Sequence, residues 1–150
     1  MATLELKRAL ARPDAETLVR QVDAYAEYFA RGGGDWPDEY ADDFSEVLNC
    51  AHDPEKAIAY VVLGASRTDN AEFLRFLGCG PLEDALYSAS PALMDRIIAE
   101  ARRSRRFRWL LSTPYRIAMG EAAWEKIQIF RSTGPHEEPP LDTLPPRHAS

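Results

Sequence analysis

The stretch Asp53-Pro54-Glu55-Lys56-Ala57-Ile58-Ala59-Tyr60-Val61-Val62-Leu63-Gly64-Ala65 decides how the rest of the chain is read. Its Tyr60-Val61-Val62-Leu63 run is aromatic and β-branched enough to pass for a strand. The residues before it point elsewhere. Asp53 suits a helix cap, Pro54 suits the first helical position, and Glu55 falls in the first turn, where the helix dipole favours an acid. This start signal decides for a helix. Residues 57–65 carry no charge on any side, so the helix is expected to be central and buried all round.

Toward the N-terminus, Ala15 to Arg31 reads as an amphipathic helix capped by Asp14, with Leu18, Val22, Tyr25, Ala26 and Phe29 in one stripe. Gly32-Gly33-Gly34 ends it, since glycine takes the left-handed cap conformation without steric cost. Asp35-Trp36-Pro37-Asp38 then opens a second helix to about Ala51. Tyr40, Phe44, Val47, Leu48 and Ala51 form its inward stripe, and Asp38, Glu39, Asp42, Asp43 and Glu46 gather on the opposite side.

Toward the C-terminus, Asp69 or Thr68 caps a short helix carrying Phe73, Leu74, Phe76 and Leu77, which Gly78 ends. Gly80 as cap and Pro81 at the first position start another, to about Ser88. Glu83 then sits where its carboxylate can reach back to the cap N–H. Ser90-Pro91 opens a helix with Leu93, Met94, Ile97, Ile98 and Ala101 on one face. It is expected to break near Ser104, because Arg105 would otherwise fall on the apolar side, and a short helix from Arg105 to Leu111 follows. The last helix runs from about Glu121 to Arg131 and presents Ala123, Trp124, Ile127 and Phe130. Five of the eleven prolines lie beyond Ser132, so that tail reads as extended or disordered. Alternating strand patterns are nearly absent. The expectation is an all-α protein: an irregular bundle of about seven to eight short helices over residues 1–131, followed by a Pro-rich tail over 132–150. HEAT-like stacked pairs are one way to arrange it. The Pro-started helices lack a fixed spacing, so true repeats are not supported.

At 150 residues the chain has room for one domain with a core that needs no staples. No apolar run is long enough to span a bilayer, so no membrane segment is expected. The two cysteines, Cys50 and Cys79, are too few for a disulfide framework, which makes a reducing cytoplasm the expected location. The net charge of −6 hides an asymmetry. Asp35 to Glu46 holds six acids and no base, whereas Arg102 to Arg108 holds five arginines and no acid. The acidic total disfavours nucleic acid as a partner and favours a basic protein.

Several strings resemble an uncharacterised bacterial domain family to which no activity is assigned. They are Asp53-Pro54-Glu55 before the apolar helix, Gly80-Pro81-Leu82-Glu83-Asp84, Arg106-Phe107-Arg108, and Trp124-Glu125-Lys126-Ile127-Gln128. The resemblance covers roughly residues 40–130 and implies a small helical domain. It transfers no catalytic residue.

Assembled chemistry is sparse. Cys50-Ala51-His52 supplies two ligand types, but a structural zinc site needs four ligands at characteristic spacings, so no metal and no cofactor is expected. His136 and His148 lie in the tail, without a rigid wall to hold them. Cys79, between two glycines and ahead of a helix start, occupies a position that could lower its thiol pKa, yet no partner base is identifiable. Glu83 and Asp84 are adjacent helical residues that point about 100° apart and cannot face one substrate atom together. No P-loop, nucleophile elbow or metalloprotease motif occurs. In the arginine segment, Arg102, Arg105 and Arg106 either form a basic surface or complement a helix end and pair with acids such as Asp95 and Glu100. The reading that emerges is a non-catalytic protein-binding module, of the immunity or inhibitor kind, using Asp38, Glu39, Asp42, Asp43 and Glu46 against a basic partner. The alternative is an enzyme or nucleic-acid factor that uses Cys79, Glu83 and Asp84 with Arg102, Arg105 and Arg106.

Overall fold

The computed structural model describes residues 2–147. They fold into α-helices with no strand among them: α1 (Leu4–Leu10), α2 (Ala15–Ala30), α3 (Ala41–Leu48), α4 (Pro54–Arg67), α5 (Ala71–Leu77), α6 (Glu83–Ser88), α7 (Pro91–Arg103), α8 (Arg105–Leu111) and α9 (Glu121–Ile127). α4 is the hub, as its uncharged run predicts. Every residue from Ala57 to Gly64 is buried, and α1, α2, α5, α6 and α8 all pack on it. Asp53 caps α4 by accepting from the Lys56 N–H at 3.1 Å. α7 closes the far side against α1, α8 and α9.

Local start and stop chemistry sets most boundaries. Ser90 and Ser104 cap α7 and α8 by accepting from the N–H groups of Leu93 and Phe107, each at 3.1 Å, so the expected break at Ser104 is present. Gly32, Gly33 and Gly34 all have positive φ and end α2. Other caps differ from expectation. Asn70, not Thr68 or Asp69, caps α5, accepting from the Phe73 N–H at 2.9 Å. Asp69 is drawn away by two guanidiniums, Arg106 and Arg147. Asp14 precedes α2 but does not cap it with its side chain, because Arg12 holds the carboxylate at 2.8 and 3.1 Å. α1, capped by Thr3, has no counterpart among the sequence expectations. The helix expected from Asp38 to Ala51 begins as a 3-10 turn at Asp38–Tyr40 and ends at Leu48. Ala51 is exposed, and Cys50 takes the inward place.

The largest correction lies at Gly78-Cys79-Gly80-Pro81. The helix neither stops at Gly78 nor restarts at Gly80. α5 and α6 are one rod joined by a π turn, Gly78–Leu82. Gly78 keeps helical angles of φ −69° and ψ −42°. The Glu83 N–H reaches back to the Gly78 carbonyl, one residue further than in an α-helix. The wider spacing lets Pro81, which has no N–H to give, sit inside the rod without meeting the carbonyl four residues before it. Gly78 is needed for a different reason than capping: a Cβ there would lie 1.7 Å from Thr113 Oγ1 and 3.1 Å from the Leu110 carbonyl oxygen. The absent side chain lets the segment after α8 lie directly on the π turn.

The described part of the tail runs back over the body. Arg131 ties its root, donating to the Leu111 carbonyl at 3.0 Å and the Gly134 carbonyl at 2.8 Å while lying over the Trp124 ring. Further along, Trp109 donates to Thr143 Oγ1 at 3.0 Å, Arg106 donates to the Pro145 carbonyl at 2.9 Å, and Arg147 pairs with Asp69. His148 lies outside the described residues.

Candidate functional site

The acidic segment is positioned by an aromatic cage beneath it. Phe44, fully buried on the inner face of α3, stacks on Tyr25 at 4.1 Å between centroids. Tyr28, Trp36 and Tyr40 surround the same ring at 5.4 to 5.8 Å. These contacts fix α3 rotationally and turn its carboxylates outward.

The five carboxylates then divide. Asp43 and Glu46 are engaged by the chain itself. Arg20 grips Asp43 at 2.6 and 3.2 Å, and the Gln21 amide donates to Asp43 at 3.3 Å and to Glu46 at 2.9 Å. Lys56 approaches Glu46 at 3.5 Å. The Arg20 hydrogen bond, with smaller help from Gln21, holds the Asp43 carboxyl below its ordinary range. Gln21 is fully buried, and its carbonyl oxygen accepts from the buried Tyr60 hydroxyl. This brace ties α2, α3 and α4 together. Asp38, Glu39 and Asp42 are exposed, and among the described residues none of them enters an ion pair. With Asp35 and the partly exposed Trp36 (37%), they form the outer ridge.

Gln21 is the residue that sequence reasoning missed. The available signal was its place between Leu18 and Tyr25, at helical spacing on an otherwise apolar stripe; a polar side chain there asks for a buried partner.

The arginine segment does not act as one surface. Arg106 is buried (3%) and donates to the carbonyls of Ala65, Thr68 and Pro145 and to Asp69. Arg108 donates to the Ala101 carbonyl at 2.7 Å. These partners replace the expected pairing with Asp95 and Glu100. Glu100 is buried (5%), which raises its pKa. Arg102, Arg103 and Arg105 are exposed, and Phe107 and Trp109 are buried.

Cys79, Glu83 and Asp84 share the rod but take separate surroundings. The Cys79 thiol donates to Glu138 Oε1 at 3.1 Å and sits 3.4 Å from the Thr113 carbonyl. Burial, then the Glu138 carboxylate, pushes its pKa up to about 12. The shift runs opposite to the lowering that a helix N-terminus would give, and the unbroken rod places no such terminus after Cys79. Burial raises Glu83, with the neighbouring Asp84 adding to it, and burial raises Asp84. Cys50 is buried (1%), and its thiol is pushed up to about 12 by desolvation. His52 and His136 are exposed. Among the described residues no three His, Cys, Asp or Glu side chains are grouped to hold a metal ion, and no helix is long and apolar enough to cross a membrane.

Fold and surface together define a small all-α domain with one outward acidic ridge braced from within. Residues 35–134 match the family of unknown function DUF6869, and the chain belongs to that family. The matched span begins at the ridge and takes in α3 to α9, while α1, α2 and the tail beyond Gly134 lie outside it. No curated protein and no solved structure matches the chain.

Proposed function

We propose that the protein is a non-catalytic binding module whose outer ridge, Asp38, Glu39 and Asp42 beside Asp35 and Trp36, docks a basic segment of another protein. The observation that carries this reading is the division of the carboxylates. Asp43 and Glu46 are engaged in the brace, whereas their three neighbours are exposed and, among the described residues, enter no ion pair. Carboxylates held on the 3-10 turn and the first turn of the caged α3 lose little entropy on meeting a guanidinium, and several in a row raise the association rate with a basic partner. Trp36 adds an aromatic edge of the kind that anchors interfaces and receives arginine. An immunity or inhibitor role against a basic protein fits this chemistry.

The test uses affinity capture from the source cells with two baits, the native chain and the triple variant Asp38→Lys, Glu39→Lys, Asp42→Lys. The brace residues stay untouched, so circular dichroism and melting temperature should match. A basic protein retained by the native chain should bind the triple variant about tenfold more weakly or worse at low salt. Equal retention by both baits overturns the reading.

A further inference from the structure

Several cavities in this protein are lined by arginine, and in two of them the guanidiniums are neutralised by the chain's own acids. In the cavity of about 310 Å³ between α1 and α4, Arg96 pairs with Glu5 and Glu55, and Arg12 pairs with Asp14. In the cavity of about 500 Å³ beneath the end of the tail, Arg106 and Arg147 share Asp69. A third cavity, of about 400 Å³ between α8 and the tail, breaks the pattern. Arg105 and Arg108 line it and no carboxylate does. Among the described residues neither arginine enters an ion pair, and the Arg105 side chain makes no hydrogen bond. Arg108 uses one N–H on the Ala101 carbonyl.

Residues three apart on a helix share a face, and Arg105 and Arg108 both line this one cavity in a chain of net charge −6. Like charges so placed repel unless an anion joins them. Trp109, Phe130, Pro140 and Pro145 supply the apolar part of the remaining wall, and Ser112, Ser132, Thr133 and Thr143 the rest. Trp109 is pinned by its bond to Thr143. The hydroxyls of Ser132 and Thr133 donate to Ser112 and are committed there. A ligand therefore meets two guanidiniums at one place and ring or ring-like surfaces elsewhere. Guanidinium forks match phosphate oxygens, and the volume lies within the roughly 300–1,000 Å³ of small-molecule sites.

We propose that this cavity binds a phosphorylated ring compound of mononucleotide size, with the phosphate on Arg105 and Arg108 and the ring against Trp109, Phe130 and the prolines. The site is separate from the acidic ridge and stands whether or not the ridge docks a partner.

Calorimetric titration of the full chain at low ionic strength, with AMP, adenosine and inorganic phosphate as probes, tests it. AMP should bind saturably. Adenosine and inorganic phosphate should each bind about tenfold more weakly or worse, since each lacks one half of the recognition. Arg105→Gln, at a side chain that folding does not use, should weaken AMP by about fivefold or more, and the control Arg102→Gln with Arg103→Gln should not. No saturable AMP binding at millimolar concentration overturns the proposal. So does adenosine or phosphate binding as tightly as AMP, or an equal loss in the Arg102 and Arg103 control.

Discussion

Replacing Gly78 with alanine probes the glycine at which an added Cβ would meet its neighbour most closely. In an unobstructed helix the change would stabilise by about 1 kcal/mol, because alanine loses less backbone freedom than glycine. Here the new methyl would overlap Thr113 Oγ1 at 1.7 Å and crowd the Thr113 Cβ at 2.9 Å. Thr113 is fully buried, and its hydroxyl donates to the Leu110 carbonyl at 2.7 Å. Moving it aside breaks that bond, worth about 1 kcal/mol, on top of an overpacking cost near the upper end of about 1–3 kcal/mol. The balance is a net loss of about 3 kcal/mol, or roughly 6–12 °C in Tm for a chain of this size. Urea unfolding followed by far-ultraviolet circular dichroism would measure it. The decisive comparison adds Thr113→Gly, which removes the obstruction. The double variant should recover about 2 kcal/mol relative to the sum of the single changes. A helix-ending role for Gly78 predicts no such coupling. Additive single effects, or a Gly78→Ala protein as stable as the parent, would refute the close-approach account.

Two further outcomes follow from the buried and paired polar groups. Gln21→Leu removes the acceptor of the Tyr60 hydroxyl and a donor to Asp43 and Glu46, and should lower stability by about 1–3 kcal/mol; an unmoved urea midpoint would show that the brace is idle. The Arg147 and Arg106 hydrogen bonds hold the Asp69 carboxyl well below the usual carboxylate range. Its stabilising contribution is therefore present above the unfolded-state value of about 3.9 and lost as pH falls through the lower folded-state value. Because the Asp69 side chain is 64% exposed, about 1 kcal/mol or less is expected. Asp69→Asn should lower Tm slightly at neutral pH and flatten its decline in acid, and an unchanged acid limb would count against the pairing.

What was legible in the sequence is what local chemistry encodes. Asp53-Pro54-Glu55 announces α4 through groups that act within one turn, and the absence of charge over residues 57–65 places it at the centre. Ser90 and Ser104 work in the same way. The opposed faces of α3 were readable because Phe44 and Val47 on one side and Asp42, Asp43 and Glu46 on the other follow helical spacing. Illegible were roles assigned by distant partners. Glycine at 78 answers to Thr113, far along the chain, yet beside Pro81 it imitates a stop and a restart. A subtler signal was present: Phe73, Leu77, Pro81 and Ala85 are all buried, as are Leu74, Gly78, Leu82 and Leu86. Each set recurs every fourth residue, a longer period than 3.6 and one that an underwound turn supports. Arg20 and Gln21 meet α3 only in the folded chain, so the split of the five carboxylates into brace and ridge could not be read from their own helix. α1 escaped notice because seven residues with two buried positions, Glu5 and Ala9, carry little periodic signal.

The strap formed by the tail also gives synthesis of this protein a direction. Arg106 leaves the ribosome 39 residues ahead of Pro145, whose carbonyl it will hold, and Asp69 precedes Arg147 by 78. A nascent chain that has already collapsed around α4 still carries a guanidinium with one of its acceptors not yet made. The Ala65 and Thr68 carbonyls and Asp69 precede it in the chain, so the cation meets three of its acceptors first and the segment translated afterwards adds the last.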